Sequence, residues 1–153
     1  MSVQPAFEWY AFDAAAPLAG AERAGAVVRD AAGRARALHF APQRWLLPQP
    51  DDALLGQLLA RESSAGGVLC DVTGRWCLLE LPSPAAGRHP LQAAAAPELV
   101  LRDRDAAALW LFDCPVLLAR GAAGFEVWVE SSYADGFRAM LDRIEARPQA
   151  ADA

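Results

Sequence analysis

The stretch Gly124–Arg147, GFEVWVESSYADGFRAMLDRIEAR, carries two hydrophobic periods in succession, and that succession decides the fold class. Phe125, Val127 and Val129 alternate with Glu126, Trp128 and Glu130, the two-residue period of a strand with one buried and one wet face. Beyond it the period lengthens. Tyr133, Phe137, Met140, Leu141 and Ile144 share one helical face, while Asp135, Arg138, Asp142, Arg143 and Glu145 fill the other. Ser132 opens a Ser-x-x-Asp pattern, which predicts an N-cap and sets Asp135 near the positive end of the helix dipole. Pro148 ends the element because it disfavours helical geometry at Arg147.

Two residues break the consistency of that unit. Trp128 lies between two glutamates on the face expected to meet water, so it is either roofed by a loop of this chain or offered to a partner. Gly136 sits inside the helix at a cost of roughly 1 kcal/mol relative to Ala. It is either a weak spot tolerated near the first turn or a point of close approach for another backbone.

Upstream, Ala107–Phe112 and Val116–Ala119 read as strands that join Phe125–Val129 in a meander, broken at Asp113-Cys114-Pro115 and Gly121–Gly124. Before them, GVLCDVTGRWCLLEL (67–81) reads as a hairpin turning at Thr73-Gly74. Its inner face is Val68, Cys70, Val72, Cys77, Leu79 and Leu81, with Trp76 pointing the other way. Ser83–Ala96 is a second helical region that Pro90 limits to short pieces. A helix capped by Asp51 or Asp52 buries Leu54, Leu55, Leu58 and Leu59 and runs through Arg61. Gly25–Asp30, Arg34–Phe40 and Arg44–Leu47 are short strands. Residues 1–22 read as an N-terminal arm whose aromatics, Phe7, Trp9, Tyr10 and Phe12, form a short edge strand or lie over a groove. The expectation is one α+β domain over residues 23–147, a mainly antiparallel sheet with helices packed on one face, followed by a disordered tail at 148–153.

The composition narrows function. The 153 residues carry a formal net charge of −5, and all fourteen cations are scattered arginines. Phosphate-backbone binding needs a dense basic stripe, which argues against nucleic acid. The N-terminus lacks a basic leader, and the most apolar region, Ala106–Val129, is interrupted by Asp113, Pro115, Arg120 and Glu126, so a cytoplasmic location is expected. Apolar residues make up 54% of a chain with five Trp, a surplus that suits a subunit burying surface against partners.

Candidate chemistry is sparse. Cys70, Cys77 and Cys114 have no CxxC spacing. The expected hairpin sets Cys70 opposite Cys77, as buried thiols in a reducing compartment. Cys114 before Pro115 reads as core filler, His39 as a satisfied sheet residue and His89 as an exposed one. Without lysine there is no P-loop or Schiff base. Asp71 is the carboxylate weighed as a base, with a solvated role as the default. No catalytic, cofactor-binding or metal-ligating residue is assigned. The candidate partner-contact residues are Trp128, Gly136, Trp76 and Trp9.

Three segments in order resemble one family. His39–Leu47 (HFAPQRWLL), Val68–Arg75 (VLCDVTGR) with Leu78–Leu81, and Cys114–Arg120 (CPVLLAR) with Ser132–Asp135 (SYAD) are similar to segments of the gamma subunit of heterotetrameric sarcosine oxidase. The match spans about residues 36–145. Ser131 stands where that family often has Arg, and Gly136 where it often has an aromatic residue. The resemblance implies a fold related to the folate-binding domain of aminomethyltransferases and a structural subunit without a catalytic centre. It also implies partner subunits that carry FAD, FMN, NAD, folate and zinc and that oxidatively demethylate sarcosine to glycine. The alternative on the same fold is a stand-alone folate-binding one-carbon protein.

Overall fold

A computed structural model describes residues 2–64, 66–84 and 89–147; the expected tail at 148–153 lies outside the described residues. In chain order the strands are β1 (Ser2–Val3), β2 (Ala6–Ala11), β3 (Val27–Arg29), β4 (Ala35–Ala41) and β5 (Arg44–Pro48), followed by helix α1 (Asp52–Ser63). Strands β6 (Gly67–Asp71) and β7 (Trp76–Pro82) come next, then a 3-10 turn (Pro90–Ala93) and a one-turn helix α2 (Pro97–Val100). Strands β8 (Ala106–Leu111), β9 (Cys114–Arg120) and β10 (Gly124–Glu130) lead into α3 (Ser131–Glu145).

The fold is α+β with antiparallel pairing, as the two periods require, but the strands divide into two five-stranded sheets. One has the order β1-β7-β10-β9-β8 and the other β3-β4-β5-β2-β6. They pack face to face. Between them lie Ala6, Leu38 and Leu46 from one side and Trp76, Leu117, Ala119 and Trp128 from the other. Helix α3 covers the outer face of the first sheet by inserting Phe137 and Leu141 among Leu79, Val116, Leu118 and Val127. Helix α1 covers the outer face of the second, where Leu54 and Leu58 meet Trp9, Trp45 and Leu47. The helices therefore lie on opposite outer faces rather than on one.

Four local readings change. The segment 67–81 is not a hairpin. β6 pairs with β2, setting Cys70 beside Glu8, whereas β7 pairs with β10, setting Cys77 beside Val129. Residues 72–75 thus cross between sheets; Cys70 is exposed and Cys77 buried. Second, Ala6–Ala11, assigned to an arm, is an inner strand hydrogen-bonded to both β5 and β6. Third, α3 starts at Ser131 with no side-chain cap. Ser131 Oγ instead donates to the Gly74 carbonyl and tethers the helix start to the crossover. Fourth, the buried face of α3 is Ala134, Phe137 and Leu141, with Tyr133 and Met140 largely exposed beside it. The cap expected for α1 is in place: Asp51 accepts the Leu54 amide at 2.8 Å.

Candidate functional site

Where the sheets diverge, a cleft of about 510 Å³ opens between them. Its walls are the β3–β4 turn, the end of β5 at Pro48 and Gln49, the outer half of β7 and the β9–β10 turn, and Trp128 contributes to its lining. Two carboxylates face each other across its β7–β10 wall, since Glu80 is the direct cross-strand partner of Glu126. Like charges in that position repel. The conflict is resolved on one side only: Arg29 donates to Glu126 through both terminal nitrogens, at 2.8 and 3.2 Å. The same guanidinium bonds the carbonyls of Gly33 and Arg120, locking two turns together beside the cleft. Glu80 remains exposed, with no ion-pair partner among the described residues. At the lip, Gln49 holds a left-handed backbone (φ 45°) while its amide donates to Pro5 O at 2.7 Å.

A second buried carboxylate also faces the gap between the sheets. Glu8 accepts Arg44 Nη2 at 2.9 Å, Arg75 Nη1 at 3.4 Å and Trp76 Nε1 at 3.2 Å. Arg75 also bonds Glu130 at 2.9 Å. Its hydrogen bond to Glu130, reinforced by the charge of Glu8, raises the Arg75 guanidinium pKa and keeps the ion charged. The carboxylate and arginines fasten β2, β5, the crossover and the end of β10 to one another.

The remaining candidate groups sit in positions that oppose reactivity. Asp71 accepts the amide of its neighbour Thr73, which holds its carboxyl below the ordinary aspartate value and makes it a weaker base. Burial, then the charge of Asp113, pushes the Cys114 thiol up and disfavours the thiolate. His89, expected to be exposed, is buried: Nδ1 accepts the Leu91 amide at 3.2 Å, so Nε2 carries the proton toward Leu81 O at 3.3 Å. His39, expected to be satisfied, is buried with neither ring nitrogen bonded, and it stacks on Trp45 with 4.2 Å between centroids. Among the described residues no three His, Cys, Asp or Glu side chains converge.

The four candidate contact residues are not brought together. Trp9 is fully buried beneath α1, while Trp76 and Trp128 lie in the layer between the sheets. The roof over Trp128 is therefore the second sheet, not a loop, and these indoles offer no outer surface. Gly136 is exposed on α3, and a Cβ there would meet nothing within 4 Å. The exposed indole is one the sequence reading did not single out, Trp110, which is 69% accessible on β8. Alternation puts Trp110 and Ala106 on one strand face. It does not reveal that the opposing sheet stops short of Trp110.

Fold and site together define a two-sheet α+β unit whose buried charges serve architecture. No protein-family model and no curated protein matches the chain. The fold is similar to that of one chain of the heterotetrameric sarcosine oxidase from Corynebacterium sp. U-96, solved with pyrrole 2-carboxylate. The TM-score is 0.73 at 22% identity, covering 99% of this chain and 85% of that one. No helix among the described residues is long and apolar enough to cross a membrane.

Proposed function

We propose that this chain is a non-catalytic, cytoplasmic structural subunit of a multi-subunit, flavin-dependent sarcosine oxidase or a related amine oxidase complex, corresponding to the gamma subunit. The observation that carries the proposal is the end-to-end fold match to a chain of a heterotetrameric sarcosine oxidase. The chemistry of the site supports it. Glu8 and Glu126 are consumed by arginines, Asp71 is a weakened base and Cys114 a disfavoured thiolate. In such a complex the partners carry FAD, FMN, NAD, folate and zinc, and this chain supplies contact surface.

The test is co-expression with the flavoprotein and folate-type subunits of a heterotetrameric sarcosine oxidase. The subunit reading predicts a colourless isolated chain that co-elutes with a yellow, sarcosine-oxidising complex. A chain that never joins that complex refutes it. One observation favours a second reading, a stand-alone folate-binding one-carbon protein: the cleft volume falls within the roughly 300–1,000 Å³ of small-molecule sites. Calorimetric titration of the isolated chain with tetrahydrofolate separates the two, because saturable binding supports only the second.

A further inference from the structure

We infer that the cleft between the sheets is a binding site for a small organic cation, an amine or guanidine that carries a neutral hydrogen-bond acceptor on an apolar body. The residues that meet it share one face of the β7–β10 pair. Glu80 stands directly opposite Glu126 and Leu78 directly opposite Trp128, so Glu80 and Trp128 are diagonal neighbours, roughly 7–8 Å apart. All four line the cleft, which grades from apolar at Leu78 and Trp128 to acidic at Glu80 and Glu126.

Two needs are unmet there. The first is charge. Among the described residues, the charged side chains lining the cleft are Arg34, Glu80 and Glu126. Asp30 holds Arg34 at 2.9 Å and Arg29 holds Glu126 at 2.8 Å, which leaves Glu80 as the uncompensated ion. A cleft with free charge of one sign and low-dielectric walls concentrates ions of the other sign. A cation at Glu80 also relieves the like-charge contact with Glu126. The second need is a hydrogen bond. Trp128 is 2% exposed and its Nε1 has no partner among the described residues, although a buried indole N–H ordinarily finds one. An indole donates and does not accept, so the missing partner is an acceptor.

Together these needs select the chemistry of the ligand. A bound metal ion requires several converging donors, and no three His, Cys, Asp or Glu side chains converge among the described residues. An anion meets the uncompensated charge of Glu80 with repulsion. An organic cation satisfies both needs at once: its head binds the Glu80 carboxylate, its acceptor takes the Trp128 N–H, and its carbon body covers Pro48, Leu78 and Pro82. The volume of about 510 Å³ suits a molecule of that size. The site belongs to this chain alone, so the inference is independent of whether the chain joins an oxidase complex.

It is tested by titrating the full chain with N-acetyl-L-argininamide and with its neutral isostere, N-acetyl-L-citrullinamide, while proton–nitrogen NMR spectra follow the indole signals. Trp128→Phe identifies the Trp128 signal, and circular dichroism confirms that this variant and Glu80→Gln fold. The expected result is a saturable shift of the Trp128 indole with the arginine compound and binding of the citrulline compound about ten- to a hundredfold weaker, the range of one hydrogen bond to a charged group. Glu80→Gln removes that preference. An indole signal unmoved by the cation overturns the site, as does equal binding of the two compounds or a preference that survives in Glu80→Gln. If the wild type takes up neither compound and Glu80→Gln instead fails to join the oxidase complex, the small-molecule site is also overturned, and the cleft receives a partner subunit.

Discussion

Replacing Arg29 by Met removes the cation that permits a carboxylate to sit between the two sheets. Glu126 is 9% exposed, lies directly across from Glu80 and receives both of its charged hydrogen bonds from Arg29. Deleting one member of a buried pair costs about 3–5 kcal/mol, because the other charge is left desolvated. The Arg29 side chain retains 24% exposure, which allows partial rehydration and places the loss near the lower end, about 3 kcal/mol. At this chain length that corresponds to a fall in Tm of roughly 6–12 °C. The Arg29→Met/Glu126→Leu double variant replaces the pair by apolar groups and recovers most of the loss. Urea unfolding at pH 7, followed by tryptophan fluorescence, measures each corner of the cycle. If Arg29→Met costs under about 1 kcal/mol, or the double variant loses the sum of the singles, the pair does not hold the sheets together.

Other expectations follow from the same contacts. On α3, Phe137→Ala loses about 3–5 kcal/mol because the ring is fully buried, whereas Gly136→Ala gains up to about 1 kcal/mol in the isolated chain; denaturation curves read both, and a destabilised Gly136→Ala contradicts the open surroundings of that position. A native thiol titration labels Cys70 alone, with Cys77 and Cys114 reacting only after unfolding; rapid labelling of a second thiol refutes their burial. Thr73 depresses the pKa of Asp71, so its contribution is present above the unfolded aspartate value and is lost as the pH falls through the folded one. The gap in urea midpoint between wild type and Asp71→Ala should therefore close on acidification, and a gap constant down to strongly acidic pH removes that linkage.

The local elements were legible because each is specified by its own residues. The change from a two-residue to a 3.6-residue period marks where β10 becomes α3, and the Asp51-Asp52 pair marks the start of α1, where Asp51 makes the capping bond. The meander β8–β9–β10 follows from alternation and turn residues, and the end-to-end fold match agrees with the family resemblance carried by His39–Leu47, Val68–Leu81 and Cys114–Asp135. The candidate contact residues were not legible in this way. Trp76 and Trp128 alternate as surface positions do, and Trp9 lies in a segment without a sustained period, yet all three are buried.

The sequence by itself determined that β10 runs into α3, that α1 starts at an aspartate cap and that β8, β9 and β10 are consecutive strands, since periodicity and capping are fixed by backbone geometry within a few residues. Only the tertiary structure decided that β6 joins β2 while β7 joins β10, that a second sheet covers Trp128, and that coverage ends before Trp110. Strand pairing and burial depend on competition between segments far apart in the chain. A strand with alternating faces looks the same in sequence whether its outer face meets water, a second sheet or another molecule.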